Sequence, residues 1–196
     1  LTACLLYATM LSTALELLRP ADPAQAAPRP AWLATLSAIL VAFSLITIVS
    51  GGLVAGLHAG LAYNTFPLMN GYWVPPYMLN QQPLARNFFE NLTTVQFDHR
   101  LLAALLALTV LACWIGGRYA GLSQRAMTAL HVLAGVTAAQ VTLGILTLLY
   151  RVPVILGVAH QGTALILLGA ALLVRHEGRC HSDLSETASV EEQAGH

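Results

Sequence analysis

The chain reads as an all-α integral membrane protein: a four-helix transmembrane bundle plus one N-terminal apolar helix, partial or complete. Three observations carry that expectation. Of 196 residues, 57% are apolar and 9% charged, where soluble domains carry about 25% charged residues; mean hydropathy is +0.67. The apolar residues fall in runs of about 20, the length that crosses a bilayer as a helix. The charged residues gather between those runs and in the tail.

Formal net charge is zero, lysine is absent and no basic patch points to nucleic acid. Cys4, Cys113 and Cys180 form no Cys-x-x-Cys pair, which argues against a disulfide framework or a zinc site. Leu1 is not an initiator methionine, and the first run lacks the positive start and small-residue cleavage site of a signal peptide. The expectation is therefore a fragment or processed product.

Taken in order, residues 1–19 form a helical segment that stops at Arg19-Pro20. Pro23, Pro28 and Pro30 make 20–31 an irregular connector. The bundle is expected over 32–176. Its first run, Trp32 to Ala62, ends with Gly51, Gly52, Gly56 and Gly60. Glycines so spaced let another helix or a flat cofactor approach the backbone, and plain helix packing explains the spacing equally well. The stretch 63–96 is expected to be an outward loop. Loops of that length are functional or disordered; Tyr63, Phe66, Tyr72, Trp73 and Tyr77 favour a cap at the lipid headgroups. Further helices follow over about Phe97–Trp114, Ala126–Leu149 and Val154–Val174. The tail 177–196, with five acidic groups, is expected to be disordered.

Arginine placement predicts orientation. Arg19, Arg29, Arg118, Arg125, Arg175 and Arg179 fall on the side of the tail, and Arg86, Arg100 and Arg151 on the other. Six against three puts the C-terminus in the cytoplasm or mitochondrial matrix.

Polar chemistry concentrates in Phe88 to Arg100, which ends in Asp98-His99-Arg100 just before the charge-free run Leu101 to Ile115. The helices carrying His99 and His160 both run inward. The two histidines lie about two and six residues deep, roughly 3 Å and 9 Å at about 1.5 Å per residue, so both imidazoles can share one level. Ionisable groups inside a membrane mark function. Two imidazoles without a carboxylate cage suit a haem iron better than a hydrolytic metal. Gly56, Gly144 and Gly162 would lie against the haem plane, and Arg100 would pair with a propionate. The plainer alternative is that each histidine is an interfacial polar residue, and the residues alone leave both readings open. His131 sits at the opposite end of its helix, His58 is a weaker candidate for lining the site, and His176, His181 and His196 fall at the end of the chain. General-base chemistry at Asp98-His99-Arg100 would lack a nucleophile or second carboxylate.

The motifs resemble the haem A synthase family of mitochondria and proteobacteria, in its second half. Gly52-Leu53-Val54-Ala55-Gly56-Leu57, Ala59-Gly60 and Tyr63-Asn64-Thr65-Phe66-Pro67-Leu68-Met69 are similar to the close of the family's fifth helix. Arg86 to Asn91 and Val95-Gln96-Phe97-Asp98-His99-Arg100 resemble the opening of its sixth. Gln140 to Tyr150 and Ala159-His160-Gln161 resemble its seventh and eighth. The likeness covers about Leu33 to His176. It implies one half of an eight-helix protein that oxidises the C8 methyl of haem O to a formyl group, giving haem A for cytochrome c oxidase. By the same likeness His99 and His160 would be axial ligands of a b-type haem (the metal site), with Arg100 beside it. The substrate haem O would be held in the other half.

Two departures matter. The family's first half has a catalytic glutamate three residues before its His-Arg pair, and here that place is Gln96, so no catalytic residue is expected in this chain. The family's Leu-Ala-Ala-His pattern is matched by Leu1-Thr2-Ala3-Cys4, where either the cysteine replaces the histidine or the likeness has ended. Implied partners are membrane lipid, haem O and an electron donor or acceptor; haem O synthase and a second copy of the chain are further candidates. The location implied is the mitochondrial inner membrane or the bacterial plasma membrane. The main rival reading is a stand-alone membrane bis-histidine b-type cytochrome that carries electrons without catalysis; a cofactor-free scaffold is the plainest.

Overall fold

The computed structural model describes residues 2–18 and 31–179. Among these stand six α-helices: α1 (Thr2–Leu18), α2 (Ala31–Gly56), α3 (Asn87–Glu90), α4 (Leu92–Tyr119), α5 (Gln124–Leu149) and α6 (Val154–Arg179). Short 3₁₀ turns lie at Ala59–Leu61 and Leu84–Arg86. The only extended pairing among the described residues is an isolated bridge between Met69 and Tyr72. The connector and the tail fall outside the described residues, apart from Ala31 and the end of α6, which stays helical to Arg179.

Trp32–Gly56, Leu92–Tyr119, Gln124–Leu149 and Val154–Gly178 are long and apolar enough to cross a membrane. In hydrocarbon every backbone N–H and C=O must be paired within the segment, which a helix does along its whole length. The all-helical, multi-pass membrane architecture expected from composition is the one observed. α6 packs on α1, α2 and α5, while α4 packs on α2 and α5. Thus α2, α4, α5 and α6 close a ring, with α1 laid against α6. The turns 120–123 and 150–153 are too short for anything but antiparallel neighbours, so α4 and α6 run in the same direction.

The apolar core fills one end of this ring. Leu33, Leu40 and Val41 of α2 meet Leu106 and Val110 of α4, Leu130 and Leu133 of α5, and Leu168 and Ala171 of α6. Towards the other end, where the loop lies, buried residues become sparse: none occurs from Phe97 to Leu105, or from Ala138 to Ile166.

Four helix boundaries differ by several residues from the sequence expectation: α4 and α6 continue to Tyr119 and Arg179 rather than ending near Trp114 and Val174, and two others bear on the site. α4 begins at Leu92 rather than Phe97, because the Asn91 side chain accepts hydrogen bonds from Thr93 N at 3.0 Å and Thr94 N at 3.4 Å. Such a cap satisfies amides that the first helical turn leaves orphaned. α2 ends at Gly56 rather than Ala62, with His58 in the left-handed region at φ 53° and the Ala59–Leu61 turn after it. The loop is correspondingly shifted to 57–91 and is ordered from within. Asn87, fully buried, accepts from Gln81 N and donates to Gln81 O and Leu84 O, each at 2.9 Å. Asn91 donates to Tyr77 O at 3.2 Å and Asn80 Oδ1 at 2.9 Å.

Candidate functional site: two histidine niches

Because α4 starts at Leu92, His99 lies seven residues past its helix start (99 − 92) and His160 six past Val154 (160 − 154). At about 1.5 Å per residue those depths are roughly 10 Å and 9 Å. The earlier cap thus brings the two histidines to nearly one level.

Each ring rests on a neighbouring helix at a glycine. A Cβ on Gly51 of α2 would stand 3.1 Å from His99 Cε1, and one on Gly144 of α5 would stand 2.9 Å from His160 Cε1. The Thr47 carbonyl lies beside His99 and the Gln140 carbonyl beside His160. Both carbonyls are four residues before the glycine, so each belongs to the turn that the missing side chain uncovers.

The polar partners differ. His99 Nδ1 is 2.8 Å from Ser50 Oγ, and that hydroxyl donates to Thr47 O at 2.8 Å. His160 Nε2 meets the Gln140 amide nitrogen at 3.4 Å, a long contact, while its Nδ1 is buried without a hydrogen-bond partner. Gln140 Oε1 is likewise unpartnered.

Arg100, one residue beyond His99, turns to the loop. Its two Nη groups donate to Thr65 O at 3.0 Å and Tyr63 O at 2.9 Å, and its Nε is buried without a partner. Gln96, only 2% exposed, donates to the same Tyr63 carbonyl at 3.1 Å. Asn64 donates to Gly60 O at 2.9 Å and Leu148 O at 3.0 Å. Tyr63 to Thr65 is thereby stitched across α4 and α5 beside the His99 niche. A polar cleft of about 480 Å³, lined by Asn64, Thr65, Asn70 and Arg151 among others, opens next to this segment and contains neither histidine.

Of the residues singled out from sequence, His160 and Gly144 meet in one niche, and His99 occupies the matching niche on Gly51. Gly56 and Gly162 have no atom within 4 Å of where a Cβ would stand. His58 is exposed. His131 is remote from the pair: its Nδ1 lies 2.8 Å from Met127 O, and its ring stands edge-on to Trp114 at 6.0 Å. Ser50, Gly51 and the Gln140 side chain were not picked out as site residues. Among the described residues, no three His, Cys, Asp or Glu gather as a metal cluster.

What is present fits a flat metal cofactor held by two imidazoles. Each ring sits where a glycine gives it room, His160 Nδ1 and Arg100 Nε are buried N atoms without partners, and no side chain is buried in the intervening turns. Arg100 Nε would suit a carboxylate, since a charge-assisted pair is stronger than a neutral hydrogen bond.

Three relatives illustrate the kinship. "Heme A synthase" of Nitrosospira multiformis is 49% identical over 174 residues, covering 89% of this chain and 49% of the relative. "Heme A synthase COX15" of Arabidopsis thaliana is 41% identical, over 89% of this chain and 39% of the relative. The Mus musculus protein of the same name is 39% identical, over 91% and 43%. The chain spans about half the length of the curated relatives it matches. No solved structure matches it. The sequence model of the COX15-CtaA family, described as cytochrome oxidase assembly proteins, matches residues 1–172, and the chain belongs to that family.

Proposed function

We propose that residues 32–176 hold a b-type haem whose iron takes His99 and His160 as axial ligands, within a protein that oxidises the C8 methyl of haem O to a formyl group. The product would be haem A for cytochrome c oxidase. The observation that carries the haem reading is the matched seating of two imidazoles on parallel helices, each against a glycine of its neighbour. The names of the relatives support the reaction.

A bound haem supplies one-electron redox chemistry. The chain's own part is to orient two neutral imidazoles, to exclude water with apolar helix faces, and to hold Arg100 beside the niche for a propionate. Turning a methyl into a formyl group withdraws electrons and adds oxygen, so an electron carrier next to the reacting haem is chemically useful; its donor or acceptor is a further partner. The oxidation itself is assigned to sequence outside residues 1–196. Gln96 stands where the resembled family's other half has glutamate, and here its amide donates to Tyr63 O, which a carboxylate could not do. The arginine distribution supports a C-terminus on the cytoplasmic or matrix side.

The test is the optical and electron-paramagnetic spectrum of the purified membrane protein. A low-spin, six-coordinate haem signal is expected. Replacing His99 or His160 with Ala should give a high-spin signal or loss of haem, while His131→Ala should give neither. Identical behaviour of all three variants would refute the ligand assignment. Cells that make haem O and express residues 1–196 alone should accumulate no haem A above an empty-vector control.

A further inference from the structure

We infer that Ser50 is a positioning residue that fixes the tautomer and direction of His99, and so makes the two histidines unequal partners for the cofactor. The inference rests on the haem reading above. Ser50 lies near the loop end of α2, one residue before the glycine that seats the His99 ring, and is buried.

Its hydroxyl has one proton and two lone pairs. The Thr47 carbonyl, 2.8 Å away, can only accept, so the proton goes there. The His99 nitrogen at 2.8 Å must then be the donor. A neutral imidazole carries one N–H; with it on Nδ1, the lone pair is left on Nε2. Metals bind the bare nitrogen of neutral imidazole, and the hydrogen bond made by the other nitrogen decides which one is bare. Ser50 therefore leaves Nε2 ready and pins the ring through the opposite atom.

His160 has no counterpart. Its Nδ1 lacks a hydrogen-bond partner, and the polar side-chain group at its ring meets Nε2, the nitrogen a metal would need. The Gln140 amide can only donate, so this long contact also leaves the lone pair on Nε2, but it occupies that nitrogen and no acceptor holds Nδ1–H in place. Other serines of α2 do not do this work: Ser37 and Ser44 bond back to Ala34 O at 2.9 Å and Leu40 O at 2.7 Å within their own helix.

An acceptor on Nδ1–H raises the basicity of the ligating nitrogen and favours the ferric state. The measurements are the midpoint potential and haem affinity of the haem whose low-spin signal His99→Ala abolishes. They are made in the membrane protein expressed with its natural flanking sequence. Ser50→Ala should raise the potential and weaken haem binding about tenfold, the low end of what removing an outer-shell partner costs. Ser50→Thr keeps a hydroxyl and should restore both. Ser44→Ala removes another buried hydroxyl of the same helix and should change neither. Ser50→Cys, a weak acceptor of similar size, should shift the potential the same way by less, and it carries the test if the alanine variant does not accumulate. Wild-type potentials in the Ser50→Ala or Ser50→Cys protein, or an equal shift in Ser44→Ala, would overturn the inference. A wild-type protein with no low-spin haem signal sensitive to His99→Ala would remove the haem reading itself, and this inference with it.

Discussion

His99 leans from α4 onto α2, and His160 leans from α6 onto α5. Each ring lies beside a carbonyl, of Thr47 or Gln140, and against a glycine four residues later, Gly51 or Gly144. The backbone solution is thus the same in both niches. The side chains are not: Ser50 binds the far nitrogen of His99 at 2.8 Å, whereas Gln140 touches Nε2 of His160 at 3.4 Å. The His99 niche is also tied to the loop through Arg100 and Gln96. Glycine seating therefore brings a ring to the right place, and hydrogen bonding decides how firmly it stays. One niche is preorganised, and the other can adapt.

The largest effect that could break this comparison is at the ligands. His99→Ala should lose most of the bound haem, because it removes the firmly held imidazole. His160→Ala should retain more haem, in a five-coordinate high-spin form. The haem-to-protein ratio of the two variants decides, and the reverse order would mean that His160 is the anchor.

The glycines come next. An added methyl in a packed interior costs about 1–3 kcal/mol, and the two sites should express that cost differently. The Gly144→Ala methyl, 2.9 Å from His160 Cε1, meets a ring held only by a long contact, so the ring swings. Spin state should change more than melting temperature. The Gly51→Ala methyl, 3.1 Å from His99 Cε1, meets a ring fixed by Ser50, so melting temperature should fall more. Thermal melts and the low-spin fraction, measured on both proteins, test the contrast.

Loop attachment gives a smaller effect on one side only. Arg100→Ala removes two charge-assisted hydrogen bonds to Tyr63 and Thr65 carbonyls, each worth about 1.5–3 kcal/mol at most. It should make residues 63–91 cleavable in limited proteolysis, with a smaller loss of bound haem than in the His99→Ala protein. Gln96→Glu should act in the same direction, since the carboxylate cannot donate to Tyr63 O and would be buried. The mildest change is Asn91→Ala. Losing that cap should cost about 1 kcal/mol, seen as a small drop in melting temperature with the haem spectrum intact.

Much of this was legible in the sequence. Runs of apolar residues long enough to span a bilayer announced α2, α4, α5 and α6, because hydrocarbon admits no unpaired backbone and helices satisfy their own. His99 and His160 stood out as ionisable groups in those runs. The start of α4 was misread because Leu92-Thr93-Thr94 follows a polar loop, and two threonines make a weak helical opening; the capping role of Asn91 shows only once its side chain is seen on the Thr93 and Thr94 amides. Ser50 was invisible for a different reason. Ser37, Ser44 and Ser50 all occupy an apolar helix, and all bond back to a carbonyl three or four residues earlier.

The sequence by itself determined the helical membrane architecture and its four long apolar helices, and it marked His99 and His160 as ionisable groups within them. Those properties follow from hydropathy and from a fixed rise per residue, which are local quantities. Only the tertiary structure decided that Gly51 and Gly144, not Gly56 and Gly162, carry the rings, that Arg100 and Gln96 fasten the loop, and that Ser50 alone of its helix's serines reaches a histidine. These depend on the azimuth at which α2 crosses α4 and α5 crosses α6. That angle is set by how whole helix surfaces interlock, and no single stretch of chain contains it.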